Sequence, residues 1–294
     1  MSESRFCVFD GSNYSSKPAE GIEAKVLEDL GKSTVKITHG SSNGSGFLLD
    51  LQDHVSTDAH VVLNGRRLFV ETASGPLEAR IEKLNVVDDV AILSVPGLSK
   101  AGVVPVKLKA TETLPEGERA YSLGYPHALA ETSVPCISEG SATGPLPIMD
   151  IYRRSYGDPE FLTNLDLFPL AQGEPSLPQL LLDHRDEFAQ RADTITAVIV
   201  ENAVSHALSN GTSGGPVGDA TSSVIGMNDG VQKNSVLLAT PASKIAETYN
   251  APSTLRFVYD SQKLLRAEPL DPSNKTASAD ALIANTLLEE SDRF

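Results

Sequence analysis

A chain of 294 residues with 40% hydrophobic content can bury one large core or two small ones, and its 39 acidic against 24 basic residues leave a formal net charge of −15. That surplus, with no run of Lys or Arg anywhere, argues against nucleic acid and anionic membranes as partners. No stretch approaches a membrane span, the one early apolar run (Phe6 to Phe9) is far too short for a signal-peptide core, and two cysteines, Cys7 and Cys136, allow one bridge but no disulfide framework, so the expectation is a cytoplasmic protein in a reducing compartment.

Residues 1–22 are rich in Ser, Gly and Pro and read as a flexible arm. From Gly31 the chain breaks into short alternating runs: Val35 to Ile37, Gly46 to Asp50, Val55 to Thr57, Arg67 to Thr72, Glu78 to Leu84 and Val90 to Val95. Asn64-Gly65 and Ser74-Gly75-Pro76 mark turns between them, and six such strands predict a first antiparallel β-barrel over about residues 31–110. A second set, Ala120 to Leu123, Val134 to Ser138, Ile195 to Val200, Gly215 to Gly218, Val224 to Met227 and Val236 to Ala239, predicts a second six-stranded barrel over about 115–245. The fold class is therefore all-β, two six-stranded antiparallel barrels.

Two further segments are expected to be helical. Residues 145–194 form an insertion in the second barrel: Ser176 can cap a helix with Pro178 in its first turn and Leu177, Leu180, Leu181, His184 and Phe188 on one face, and Asp158 to Leu167 supplies an earlier piece. Its position before the serine motif described below fits either a gate on substrate access or a structural buttress. In the extension 251–294, Ser278 can cap a short helix in which Ala279, Leu282, Ile283 and Leu287 share a face, expected to dock on the second barrel.

The chemistry concentrates in Asn210-Gly211-Thr212-Ser213-Gly214-Gly215-Pro216. A serine among glycines needs free backbone amides around it, and a hydroxyl becomes a nucleophile only with a base, a group to orient that base, and donors for the developing oxyanion. His60 in Thr57-Asp58-Ala59-His60-Val61-Val62 can be the base. Asp89, at the head of the apolar run Val90 to Leu93, can be the orienting acid. Gly31-Lys32-Ser33-Thr34 lacks the upstream glycine of a phosphate loop, and His184-Arg185-Asp186 lacks the companions of a kinase catalytic loop. The histidines and cysteines show no metal-ligand spacing, so neither metal nor cofactor is expected.

These motifs, in the order His60, Asp89, Ser213, resemble those of the trypsin-like (chymotrypsin-fold) serine proteases. Gly44-Ser45-Gly46-Phe47, Leu123-Gly124-Tyr125-Pro126, Ile137-Ser138-Glu139-Gly140 and Val224-Ile225-Gly226-Met227-Asn228 are similar to landmarks of the Deg/HtrA-type branch. The resemblance implies a chymotrypsin-like double barrel with a protease domain over about 23–250, protein or peptide substrates, a Ser213–His60–Asp89 triad, and an oxyanion hole from the backbone at Gly211, Thr212 and Ser213. It places substrate-binding positions at Ala207, Leu208, Asn210, Met227, Asn228, Asp229 and Gly230. Ala207 stands where trypsins carry the acid that binds basic side chains, implying a small or medium aliphatic preference, with Asp229 either turned into the pocket or facing solvent at a strand end. Thr212 stands where digestive enzymes carry an aspartate that captures a new N-terminus, which implies no activation by cleavage. Residues 246–294 are too short and polar for the PDZ module usual in the Deg branch. An esterase with the same triad and a catalytically silent scaffold are the alternative readings; oligomeric state has no signal.

Overall fold

The computed structural model describes residues 5–9, 14–18, 21–40, 42–63, 67–85, 88–109, 116–127, 134–145, 196–200, 211–232, 236–259 and 265–275, and residues 277, 278, 281, 282, 284, 285 and 288 of the C-terminal segment. The expected insertion helices lie outside these residues. Strands β1 (Arg5–Phe9) and β2 (Tyr14–Pro18) pair as an antiparallel hairpin where the sequence suggested a loose arm. Helix α1 (Gly21–Gly31) follows and buries Val26, Leu27 and Leu30.

The first barrel is built from β3 (Thr34–His39), β4 (Ser42–Leu48), β5 (His54–Thr57), then after the one-turn helix α2 (Ala59–Val62), β6 (Leu68–Glu71), β7 (Leu77–Asn85) and β8 (Val90–Ser94). It closes in the order β3-β4-β5-β8-β7-β6, with β6 pairing back on β3. Strand β8 explains why its sequence is a continuous apolar run: Ala91 and Leu93 join the barrel interior, while Val90 and Ile92 join a second cluster with Phe47 of β4 and the α1 side chains. A strand buried on both faces has no polar face to alternate with.

The second body comprises β9 (Lys107–Leu108), β10 (Arg119–Gly124), β11 (Cys136–Pro145), β12 (Thr196–Val200), β13 (Pro216–Asp219), β14 (Ser223–Gln232) and β15 (Val236–Pro241). The expected six strands are all present, but the body is a nine-stranded sheet, ordered β10-β13-β14-β15-β12-β11-β1-β2, with β9 on β14 and an extra β10–β11 pairing. The six expected strands pair antiparallel in a ring, β10-β13-β14-β15-β12-β11 with β11 returning to β10, and two parallel joins, β1 on β11 and β9 on β14, add strands that the sequence did not suggest. Register shows where β1 enters. β12 pairs β11 only between Gly140 and Pro145, which leaves one side of Cys136 and Ile137 open, and β1 fills it with Cys7 opposite Cys136 and Val8 opposite Ile137. Cys136 is disulfide-bonded, and the chain's other cysteine is the one opposite it. Among the described residues no helix is long and apolar enough to cross a membrane.

The C-terminal extension corrects the expectation in register and in partner. After α3 (Ala242–Asn250) the hairpin β16 (Leu255–Tyr259) and β17 (Leu265–Pro269) leads into helical residues between 275 and 288. Ala277, Ala281, Ala284 and Leu288 are buried at i, i+4, i+7 and i+11 spacing, whereas Leu282 is 53% exposed. They pack with Leu255, Leu265 and Ala267 against the first barrel, not the second. The cap is Asn274, whose Oδ1 accepts the Ala277 amide at 3.1 Å, while Ser278 sits inside the helix and donates to the Asn274 carbonyl. Small alanines thus fill the described part of the buried face, and of the expected stripe only Leu282 lies among the described residues.

Candidate active site

Three segments meet on the seam between barrel and sheet. The first is the end of β5 with α2, where Val61 and Val62 point into the core and leave His60 on the outer face with its side chain 51% exposed. The second is the turn before β8. Asp89 takes a left-handed backbone, φ 51°, which short polar side chains tolerate, and this turns its carboxylate back toward α2. Its Oδ1 accepts the His60 amide at 2.9 Å, its Oδ2 lies 2.6 Å from His60 Nδ1, and its carbonyl accepts the Ala59 amide at 3.1 Å. Imidazole and carboxylate are thus fixed at three points.

The third segment is the loop from Gly211 to Gly215. Gly211, φ +92°, runs so close to the chain after β10 that a Cβ would lie 2.5 Å from the Tyr125 carbonyl and 2.6 Å from the His127 amide nitrogen. Only a residue without a side chain fits there. Ser45 of β4 pins this loop to the first barrel: its amide donates to the Ser213 carbonyl at 2.8 Å and its hydroxyl to the Gly211 carbonyl at 2.7 Å. From the other side, Asn228 Nδ2 donates to the Thr212 carbonyl and hydroxyl at 3.1 and 2.8 Å. The Ser213 hydroxyl itself donates to the Asp229 carbonyl at 3.4 Å, and no bond to His60 forms among the described residues.

The structure therefore brings Ser213, His60 and Asp89 to one place and redistributes the expected pocket. Met227 is fully buried in the core and accepts the Ser56 hydroxyl on its sulfur. Asn228 is 1% exposed and braces the serine loop. Asp229 is the extra residue of a bulge, where the β14–β15 register shifts between Asn228 and Gly230, and its half-buried carboxyl lies beside Asp89 instead of at a solvent-facing strand end. Bulges re-aim side chains in this way. Gly230 continues the strand opposite Leu238. Ala207, Leu208 and Asn210 lie outside the described residues, and with Asn210 goes the other half of the peptide unit that carries the Gly211 amide.

Sequence reading missed Asp58. It precedes α2 without capping it, is 0% exposed, and has no hydrogen-bond partner on either carboxylate oxygen among the described residues; Oδ2 lies 3.9 Å from His60 Nδ1. The Gly214 amide, its nearest backbone donor, is spent on the Asn228 carbonyl. Burial, the charge of Asp89 and the charge of Asp229 all push the Asp58 carboxyl well above the ordinary carboxylate range. For Asp89, burial pushes upward too, but the adjacent His60 and the two hydrogen bonds it donates prevail and hold it below the usual value. Burial disfavours a charged His60, and the carboxylate of Asp89 overrides it and raises the imidazole. Asp58, His60, Asp89 and Asp229 offer nitrogen or oxygen atoms all within 4.8 Å of one another. His60 Nδ1 is already bonded to Asp89 in that set, and a cation there would displace the imidazole proton, so the cluster fits acid–base work rather than a metal centre.

With this geometry in view, the model of the trypsin-like peptidase domain matches residues 44–227. The chain belongs to this family. A segment of 186 residues, 63% of this chain and 35% of the relative, is 31% identical to serine protease Rv3671c of Mycobacterium tuberculosis. A segment of 95 residues is 34% identical to the mitochondrial serine protease HTRA2 of Drosophila pseudoobscura pseudoobscura, covering 31% of this chain and 22% of that protein. The matches thus span about a third or less of these relatives' own length. Among solved structures, the inactive form of Rv3671c protease superposes with TM-score 0.51 at 21% identity over 76% of this chain and 90% of that one, and Deg5 with TM-score 0.50 at 18% identity over 79% and 95%. These likenesses show the fold.

In this trypsin-like peptidase domain, Asp58 carries a measurable cost. An acid whose folded pKa is raised holds its stabilisation fully below the unfolded value, about 3.9, and loses it as pH rises toward the folded value. Asp58→Asn should therefore raise Tm more at pH 8 than at pH 5, each pKa unit removed being about 1.4 kcal/mol, or about 3 to 6 °C. Equal shifts at both pH values in a thermal melt would show that Asp58 is not held protonated.

Proposed function

We propose that the protein is a serine endopeptidase that hydrolyses peptide bonds through an acyl-enzyme on Ser213. The observation that carries this reading is the two-point grip of Asp89 on His60, amide at 2.9 Å and Nδ1 at 2.6 Å, beside a serine loop tied by Ser45 to the same barrel. Asp89 fixes the Nδ1–H tautomer and leaves Nε2 free to take the Ser213 proton and return it to the leaving amine. Rotation of the Ser213 side chain away from the Asp229 carbonyl directs its Oγ to that nitrogen. Backbone donors at Gly211 and Ser213 are the candidates for holding the oxyanion. Protein or peptide substrates follow from the family.

A catalytically silent scaffold is the second reading, and one observation favours it: the Ser213 hydroxyl is bonded to the Asp229 carbonyl instead of the base. A fluorophosphonate probe separates the two. Peptide mass spectrometry should find the adduct on Ser213 alone, and labelling should weaken on acidification as His60 protonates. Absence of any adduct at every pH would establish the scaffold.

A further inference from the structure

We propose that Asp229 is a positioning residue of this site: as a neutral carboxylic acid it donates its O–H to the Asp89 carboxylate and so holds that carboxylate against His60. The inference rests on the triad reading above and extends it to a fourth side chain.

The backbone delivers Asp229 to this place. Strands alternate their side chains, and without the β14 bulge Asp229 and its neighbours would keep the register set by Met227 opposite Thr240 and Asn228 opposite Ala239. The shift between Asn228 and Gly230 frees the residue from the ladder and turns its carboxyl to the Asp89 side. There its oxygens come within 4.8 Å of ligating atoms of Asp58, His60 and Asp89. Two half-buried carboxylates this close share one proton below neutrality. Asp89 keeps the charge, because it alone receives two N–H donors from His60. The proton therefore resides on Asp229, and its O–H meets the Asp89 carboxylate beside it, which has lone pairs left after the two His60 bonds.

The charged surroundings agree. Asp89 comes from the turn before β8 and Asp58 and His60 from the start of α2; on the partner strand Ala239 and Leu238 carry no charge, and neither do Thr212, Ser213 and Gly214 of the serine loop. Asp88 is turned away and accepts from Asn85. Burial, then the Asp89 charge, raise the Asp229 carboxyl to about 7, with His60 opposing. The same residue also accepts the Ser213 hydroxyl on its carbonyl, so it touches both ends of the candidate triad.

The consequence is an alkaline limb that no ordinary acid at this position would give. Below about pH 7 Asp229 is neutral and donates; above it, the ionised acid repels Asp89 and the grip on His60 loosens. The test compares fluorophosphonate inactivation rates from pH 5 to pH 10 in wild type, Asp229→Asn and Asp229→Ala. Wild type should fall about tenfold from its maximum as pH rises through neutrality. Asp229→Asn keeps an N–H donor without a titrating group, so its rate should stay level to alkaline pH, with the acid limb in place because Asp229 carries no charge there. Asp229→Ala, lacking any donor, should be slower at every pH and equally flat above neutrality. An alkaline limb shared by wild type and Asp229→Asn overturns the proposal. Thermal melts read the same proton without catalysis: the Tm of wild type should fall relative to Asp229→Asn between pH 4.5 and pH 8, because stability from a raised acid is lost as pH climbs toward its folded pKa. A constant Tm difference also overturns it. Failure of every variant to label at Ser213 defeats the endopeptidase reading instead, and the melts still decide where the proton lies.

Discussion

Ser213→Ala should lower turnover of a peptide anilide by about 10⁶-fold and Asp89→Asn by about 10⁴-fold, with both variants melting near wild type. The serine change removes the nucleophile outright. The aspartate change is subtler, because the shape of the side chain is kept and only its hydrogen-bonding character alters. An amide facing His60 Nδ1 across the present 2.6 Å contact would present its NH2, so the ring would accept at Nδ1 and carry its proton on Nε2, the atom that must take the proton from Ser213. The measurement is kcat, with active-site titration of Asp89→Asn and a thermal melt of Ser213→Ala to exclude loss of folded enzyme. A loss of less than tenfold in Asp89→Asn would mean that another group orients the imidazole. Asp58 is the nearest candidate, with Oδ2 at 3.9 Å from Nδ1.

What the sequence disclosed and what it hid divide along a physical line. Ser213, His60 and Asp89 were legible because each sits in a local pattern with a local reason: glycines where the backbone must turn, and an acid at the mouth of a strand buried on both faces. The six strands of the first barrel were legible from alternation and turn residues for the same cause. Asp58 and Asp229 were not. Each looks like an ordinary solvated acid in its own segment, and they matter because α2, the turn before β8 and the β14 bulge converge, a relation between residues as far apart as 58 and 229. Met227 was placed at a pocket by the family resemblance, which walls the pocket with the strand after Gly226, whereas strand alternation puts its side chain in the core. The N-terminal hairpin escaped notice because its composition is that of a loop, and what holds it is an open stretch of β11 at Cys136 and Ile137. Local chemistry was readable, and convergence was not.

Gly214→Ala should destabilise the protein by about 2 to 5 kcal/mol, a large part of the 5 to 15 kcal/mol that typically holds a domain together. Two costs combine. Gly214 has φ +82°, a conformation that costs an L-residue about 1 to 2 kcal/mol. The added methyl would also lie 2.2 Å from Thr57 Oγ1 and 2.3 Å from the Ser45 carbonyl, overpacking worth about 1 to 3 kcal/mol. Neither neighbour can yield cheaply, because Thr57 Oγ1 donates to that same Ser45 carbonyl at 2.7 Å and the Ser45 amide holds Ser213. Relief has to come from separating the serine loop from β4, which would move the nucleophile from His60. Gly75→Ala is the control: its φ is +113°, but among the described residues nothing lies within 4 Å of the added Cβ, so it bears the backbone cost alone. Urea unfolding of the two variants isolates the contact between loop and barrel as the difference between them. Equal losses in both would mean that the serine loop is not clamped against Thr57 and Ser45, and would remove the mechanical link between the first barrel and the nucleophile on which the site depends.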